Sequence, residues 1–135
     1  MSLEPVIRSS AARQVTMHRL TGGIWMCLGG LFSAAIFVEG KADEQVIRVV
    51  CGVLGVASLI FGAWYIKFMS GRTAHLVELL LHHRDQLRQP VLIVRRVNGR
   101  IVGYGVSVKD TANRGYKMQV LAEHDARAML ANIPP

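Results

Sequence analysis

Cysteine is almost absent from this chain. There are two among 135 residues, Cys27 and Cys51, and both fall inside long apolar runs. No C-x-x-C or C-x-x-C-H occurs, which excludes a zinc ribbon and a c-type haem attachment. A disulfide needs Cα atoms within ~7 Å, and helical placement of the two runs separates these residues by ~10 Å in depth. An internal bridge is therefore not expected.

Charge is missing from two stretches. No Asp, Glu, Lys or Arg lies between Leu20 and Val38, nor between Val49 and Ile66. At ~1.5 Å per residue each stretch is ~27–29 Å long, close to the ~30 Å hydrocarbon core of a bilayer. Half of the chain is hydrophobic (51%), with mean hydropathy +0.30, despite 16 Lys and Arg. The expectation is two transmembrane helices, residues 20–38 and 49–69. A signal peptide is a poorer reading of the first, because its apolar run exceeds the usual ~7–15 residues and a second run follows closely. Ionisable groups are absent from both spans, and ion or proton pathways usually need them. A channel or transporter acting alone is thereby disfavoured.

Catalytic constellations are lacking too. "GYGVS" at residues 103–107 has neither the third glycine of G-x-G-x-x-G nor a following Lys-Ser/Thr, and it sits within a strand pattern. His75, Glu78 and His82 share one helical face, with His83 and Asp85 nearby, but their order is wrong for H-E-x-x-H. A wet juxtamembrane face explains them as well as a metal does. His124-Asp125 suggests acid–base work, yet Glu123 and Asp125 equally suit the positive end of a helix dipole. No nucleophile stands out. The chain is read as a non-enzyme without catalytic residues, cofactor or metal ligands.

What is present is a pair of small-residue stripes. Gly23, Cys27, Gly30 and Ala34 are spaced 4-3-4, and so are Cys51, Gly55, Ser58 and Gly62. Small residues let helix backbones approach in lipid, where no hydrophobic force drives association. The two stripes are expected to face each other in an antiparallel hairpin. A lipid, quinone or pigment groove is the alternative use of such a stripe.

Basic residues orient the hairpin. Residues 1–19 form a basic tail carrying Arg8, Arg13 and Arg19 against Glu4. The loop 39–48 carries Glu39, Asp43 and Glu44 against Lys41 and Arg48. From Lys67 onward there are 11 Lys and Arg against 5 Asp and Glu. Both termini are expected in the cytoplasm of a prokaryotic inner membrane, with the acidic loop outside.

Residues 70–135 read as a small α+β cytoplasmic module, order α-β-β-β-α, with an antiparallel three-stranded sheet. A leucine helix (Leu76, Leu79, Leu80, Leu87) ends at Pro90. Asn98-Gly99 between β-rich runs signals a type I′ hairpin. An unbroken ladder from that turn pairs Ile93 with Tyr104, Val91 with Val106 and Val94 with Gly103. A third run, "YKMQVLA", alternates, and a last helix offers Ala126, Met129 and Leu130 to one sheet face. Both faces of the hairpin look apolar, so the second face calls for the leucine helix, another subunit or a partner.

Arg95, Arg96 and Arg100 gather at the hairpin tip. Without an aromatic array for base stacking, nucleic acid is not the expected ligand. Anionic lipid or an acidic partner is. The chain is thus read first as a structural, accessory or assembly subunit of a larger membrane complex, bound to other subunits or to itself. Two alternatives remain: an adaptor whose basic module recruits an acidic partner or anionic lipid, and a metal-responsive membrane regulator using His75 and His82.

Overall fold

The computed structural model describes residues 2–37 and 40–135. The chain order is α1 (Glu4–Ala34), α2 (Gln45–His82), β1 (Arg88–Val97), β2 (Arg100–Lys109), β3 (Gly115–Val120) and α3 (Glu123–Leu130), with short 3-10 turns between. Both long helices run through segments that looked like tail and linker. Helix α1 begins within the basic tail, and α2 continues through "SGRTA". No proline lies between Pro5 and Pro90 to remove a backbone donor. A single glycine such as Gly71 costs a helix only ~1 kcal/mol.

Two compact units emerge. One comprises residues 1–15 and 71–135, the other residues 16–70. Helices α1 and α2 each contribute to both.

The first unit is built on an antiparallel sheet of order β1-β2-β3. Its core gathers Val106, Val108, Tyr116, Met118 and Val120 from the strands. Leu76, Leu79 and Leu80 of α2 join them, as do Ala126 and Met129 of α3. Ile7 and Ala11 of α1 complete the cluster. Residues expected to be a tail therefore belong to this core. The reason is visible in their spacing: Ile7, Ser10 and Ala11 are buried at intervals of three and four, one stripe of an amphipathic helix.

Asn98 and Gly99 have φ of 50° and 78°, as a type I′ turn demands. The register changes just beyond the turn. Val97 pairs with Arg100 and Arg96 with Ile101, but Arg95 pairs with Gly103, so Val102 is the extra residue of a bulge. Val94 then meets Tyr104, Ile93 meets Gly105 and Val91 meets Ser107. The expected pairs Ile93–Tyr104, Val91–Val106 and Val94–Gly103 are each displaced by one. A one-residue slip exchanges faces. Leu92 opposite Val106 thus joins the core side, and Ile93 packs on Gly105. The face away from the helices stays open, with Val91, Arg95, Lys117 and Gln119 exposed. The leucine helix and α3 contribute to the same core and do not divide the two faces between them.

The outer edge of β3 is closed by side chains. Gln14 Nε2 donates to the Lys117 carbonyl at 2.8 Å, and the Gln119 amide donates to Gln14 Oε1 at 3.1 Å. Arg72 donates to the Gly115 carbonyl and lies over the Tyr116 ring. The Gln14 amide acts as a one-residue substitute for a fourth strand, which protects an edge that would otherwise invite pairing.

In the second unit the α1 and α2 segments pack against each other. Among the described residues one helix, α2, is long and apolar enough to cross a membrane, and only 17% of its most apolar window is buried. Helix α1, at 31 residues, is long enough but lacks a long enough apolar stretch, so among the described residues one of the two expected spans has its counterpart in the structure and the first does not. Its charge-free α-helical part is Leu20–Ala34, ~22 Å at ~1.5 Å per residue, before the backbone tightens into the 3-10 turn Ala35–Phe37. A longer α-helical window must take in His18 and Arg19. The expected end of the first span at Val38 and the start of the loop at Glu39 lie outside the described residues.

Candidate functional site

Two features bear on function: the helix seam of the second unit and the basic hairpin tip of the first. The seam is made of glycine pairs. A Cβ added at Gly29 would lie 2.6 Å from the Gly55 carbonyl oxygen and 2.8 Å from Leu59 N. One at Gly62 would lie 2.7 Å from the Gly22 carbonyl oxygen. The backbones touch at both levels, which only residues without side chains allow. Gly22 to Gly29 and Gly55 to Gly62 are each seven residues apart, the repeat of a left-handed antiparallel pair. Ile36 fills the space over Gly52, and Ser33 packs on Gly55 while donating to the Gly29 carbonyl at 2.7 Å.

The stripe expected on α2 is met at Gly55 and Gly62. Cys51 and Ser58 are half-buried beside it, and the Ser58 hydroxyl donates to Leu54 O at 2.9 Å. On α1 the seam falls one residue earlier than expected. Gly23 and Gly30 have open space where a Cβ would be, and Cys27 and Ala34 are exposed. The sequence contains two doublets, Gly22-Gly23 and Gly29-Gly30, each compatible with a seven-residue repeat. One position is ~100° of rotation about a helix axis. A signal was available: steps of four, three and four from Ala11 lead through Val15 and His18 to Gly22, and a further seven to Gly29.

Aromatic rings line the part of this unit nearer residues 16 and 70. Trp64 stacks on Phe68 at 4.9 Å, Trp25 meets Phe61 edge-on at 5.5 Å, and His18 meets Tyr65 at 5.8 Å. Trp64 and Tyr65 thus sit in one aromatic group with Phe61 and Phe68.

At the hairpin tip, Arg95, Arg96 and Arg100 are exposed. They flank the turn from both strands, and the ladder places Arg95 opposite Gly103, Arg96 opposite Ile101 and Arg100 opposite Val97. No acid occurs anywhere on β1 or β2. The tip can attract an anion.

The histidines do not converge. His75, His82 and Glu78 are exposed, and His75 leans toward the Tyr116 ring at 5.8 Å between centroids. Among the described residues no three His, Cys, Asp or Glu side chains are gathered to hold an ion. His124 Nε2 lies 3.0 Å from Asp125 Oδ1 on an exposed turn of α3, and Glu123 pairs with Arg127 at 2.8 Å.

The loop after β2 has its own polar centre. Asp110 accepts the Arg114 amide at 2.8 Å and the Tyr116 hydroxyl at 3.2 Å. The Arg114 backbone bond above all, with the Tyr116 bond adding to it, holds the Asp110 carboxyl below its usual range. Burial and the neighbouring Asp110 charge push the Tyr116 phenol upward.

Comparison with protein-family models, curated proteins and solved structures yields no match to this chain. Function must be argued from the two features alone.

Proposed function

We propose that this chain is a membrane-anchored, non-catalytic accessory or assembly subunit of a larger membrane complex, with residues 20–38 and 49–69 embedded as a hairpin. The observation that carries the reading is the arrangement of the helix pair. Gly22, Gly29, Gly55 and Gly62 face inward, while Ile24, Leu31, Ile47, Val53 and Ile60 face outward and are exposed. In water such a surface is costly, at ~25 cal/mol per Å² of apolar area. In lipid, or against other membrane helices, the same surface is at home. The excess of arginine on residues 1–19 and beyond Lys67 favours a cytoplasmic position for both termini.

Mild-detergent purification of the tagged chain, with mass spectrometry of co-migrating proteins, tests this. A reproducible set of membrane-protein partners in fixed ratio is the expected result. A clean small homo-oligomer would sink the accessory-subunit role.

A second reading is favoured by the three arginines at the hairpin tip: a membrane-tethered adaptor whose basic module recruits an acidic partner or anionic lipid. Reversing their charge should then abolish recruitment while leaving membrane insertion intact.

A further inference from the structure

We infer that the tip of the β1–β2 hairpin is a docking element for an anionic bilayer surface. It would insert Val97, Ile101 and Val102 among the headgroups and set Arg95, Arg96 and Arg100 against lipid phosphates. This rests on the membrane-anchor reading above and gives the sheet unit a specific task.

The first observation is protrusion. Strand β3 stops pairing with β2 at Tyr104–Val120, so the hairpin beyond that point is a ribbon of two strands. Every residue from Val94 to Val102 is exposed. A bare two-stranded ribbon is marginal in water.

The second observation is composition. Val94, Val97, Ile101 and Val102 leave 41%, 56%, 50% and 56% of their surface uncovered, so both faces of the ribbon carry exposed apolar side chains at one extremity of the sheet. Exposed apolar clusters rimmed by charge mark interaction surfaces. The Val102 bulge contributes, since it re-aims the strand where the ladder ends.

The third observation is charge. Three guanidinium groups are interleaved with these side chains, and no carboxylate lies on either strand. Apolar insertion combined with basic residues is the signature of interfacial membrane binding. A protein partner is a poorer match, because the tip offers neither a groove nor a Trp or Tyr anchor of the kind that dominates such interfaces. Single-stranded nucleic acid is poorer still, for want of rings on which bases stack.

The full chain tests this. In a Cys27→Ala, Cys51→Ala background, Ile101→Cys carries a polarity-sensitive fluorophore, and the protein is reconstituted into vesicles of phosphatidylcholine alone or mixed with phosphatidylglycerol. The expected result is a blue shift in the mixed vesicles only, reversed by high salt. The variant Arg95→Glu, Arg96→Glu, Arg100→Glu should lose the shift, with partitioning weakened about a hundredfold at ~1 kcal/mol per basic residue. A label that stays in water in both vesicle types overturns the proposal. So does shielding of the label by soluble polyglutamate but not by anionic vesicles, which would assign the tip to an acidic protein. Flotation separates the two readings. A chain that fails to float with neutral vesicles removes the anchor, and flotation with anionic vesicles then tests the tip directly: binding supports it and no binding overturns it.

Discussion

Asp110 shows how one carboxylate organises a turn. It collects the Arg114 amide and the Tyr116 hydroxyl, and its own amide donates to the Arg114 carbonyl at 3.0 Å. Its folded pKa is lowered, led by the Arg114 bond. The stabilisation it supplies is therefore complete above the unfolded carboxylate pKa of ~3.9, and is lost as pH falls through the lower folded value. Asp110→Asn should flatten the acid limb of the stability profile of the sheet unit below about pH 4. Thermal melts from neutral to acid pH provide the check; an unchanged acid limb would show the bonds to be without consequence. Nothing in the sequence singled out this residue beyond its place in a polar loop, because its value lies in partners four and six positions away. Gln14 was equally silent, since its partners lie more than a hundred residues along the chain.

Among the elements, the helix pair carries the sharpest expectation. Any side chain at Gly29 or Gly55 meets backbone, which cannot swing aside. Gly29→Ala and Gly55→Ala should each destabilise the pair by ~1–3 kcal/mol, the usual range for overpacking. Gly23→Ala and Gly30→Ala should stay within ~0.5 kcal/mol, as at open surface sites. Unfolding in mixed micelles, followed by crosslinking across the pair, measures the difference; equal effects at Gly29 and Gly30 would place the seam elsewhere. The hairpin taught a similar lesson. Its turn type was legible in Asn98-Gly99, but its register was not. The Val102 bulge depends on which side chains the helices bury, and that is a property of the packed sheet.

For the molecule as a whole, the consequence concerns its first residues. Ile7 and Ala11 lie in the same core as Leu80 and Met129, so a fragment of residues 71–135 leaves that core incomplete. Such a fragment should lack a cooperative melt, and a peptide of residues 2–15 added in trans should restore one; circular dichroism of both samples decides. A cooperative melt of the fragment alone would show that the helix is dispensable. The long charge-free runs, the basic excess and the alternation of β3 are local patterns, so composition and period alone specified a membrane-sized helix and a three-stranded antiparallel sheet. Tertiary packing decided the rest. It chose between adjacent glycines, shifted the hairpin by one residue and recruited residues 4–15 into a distant core. The first two choices turn on a rotation or slip of a single residue and the third on a short amphipathic stripe; each leaves the local pattern almost unchanged and alters only which partners, far away in the chain, are buried together.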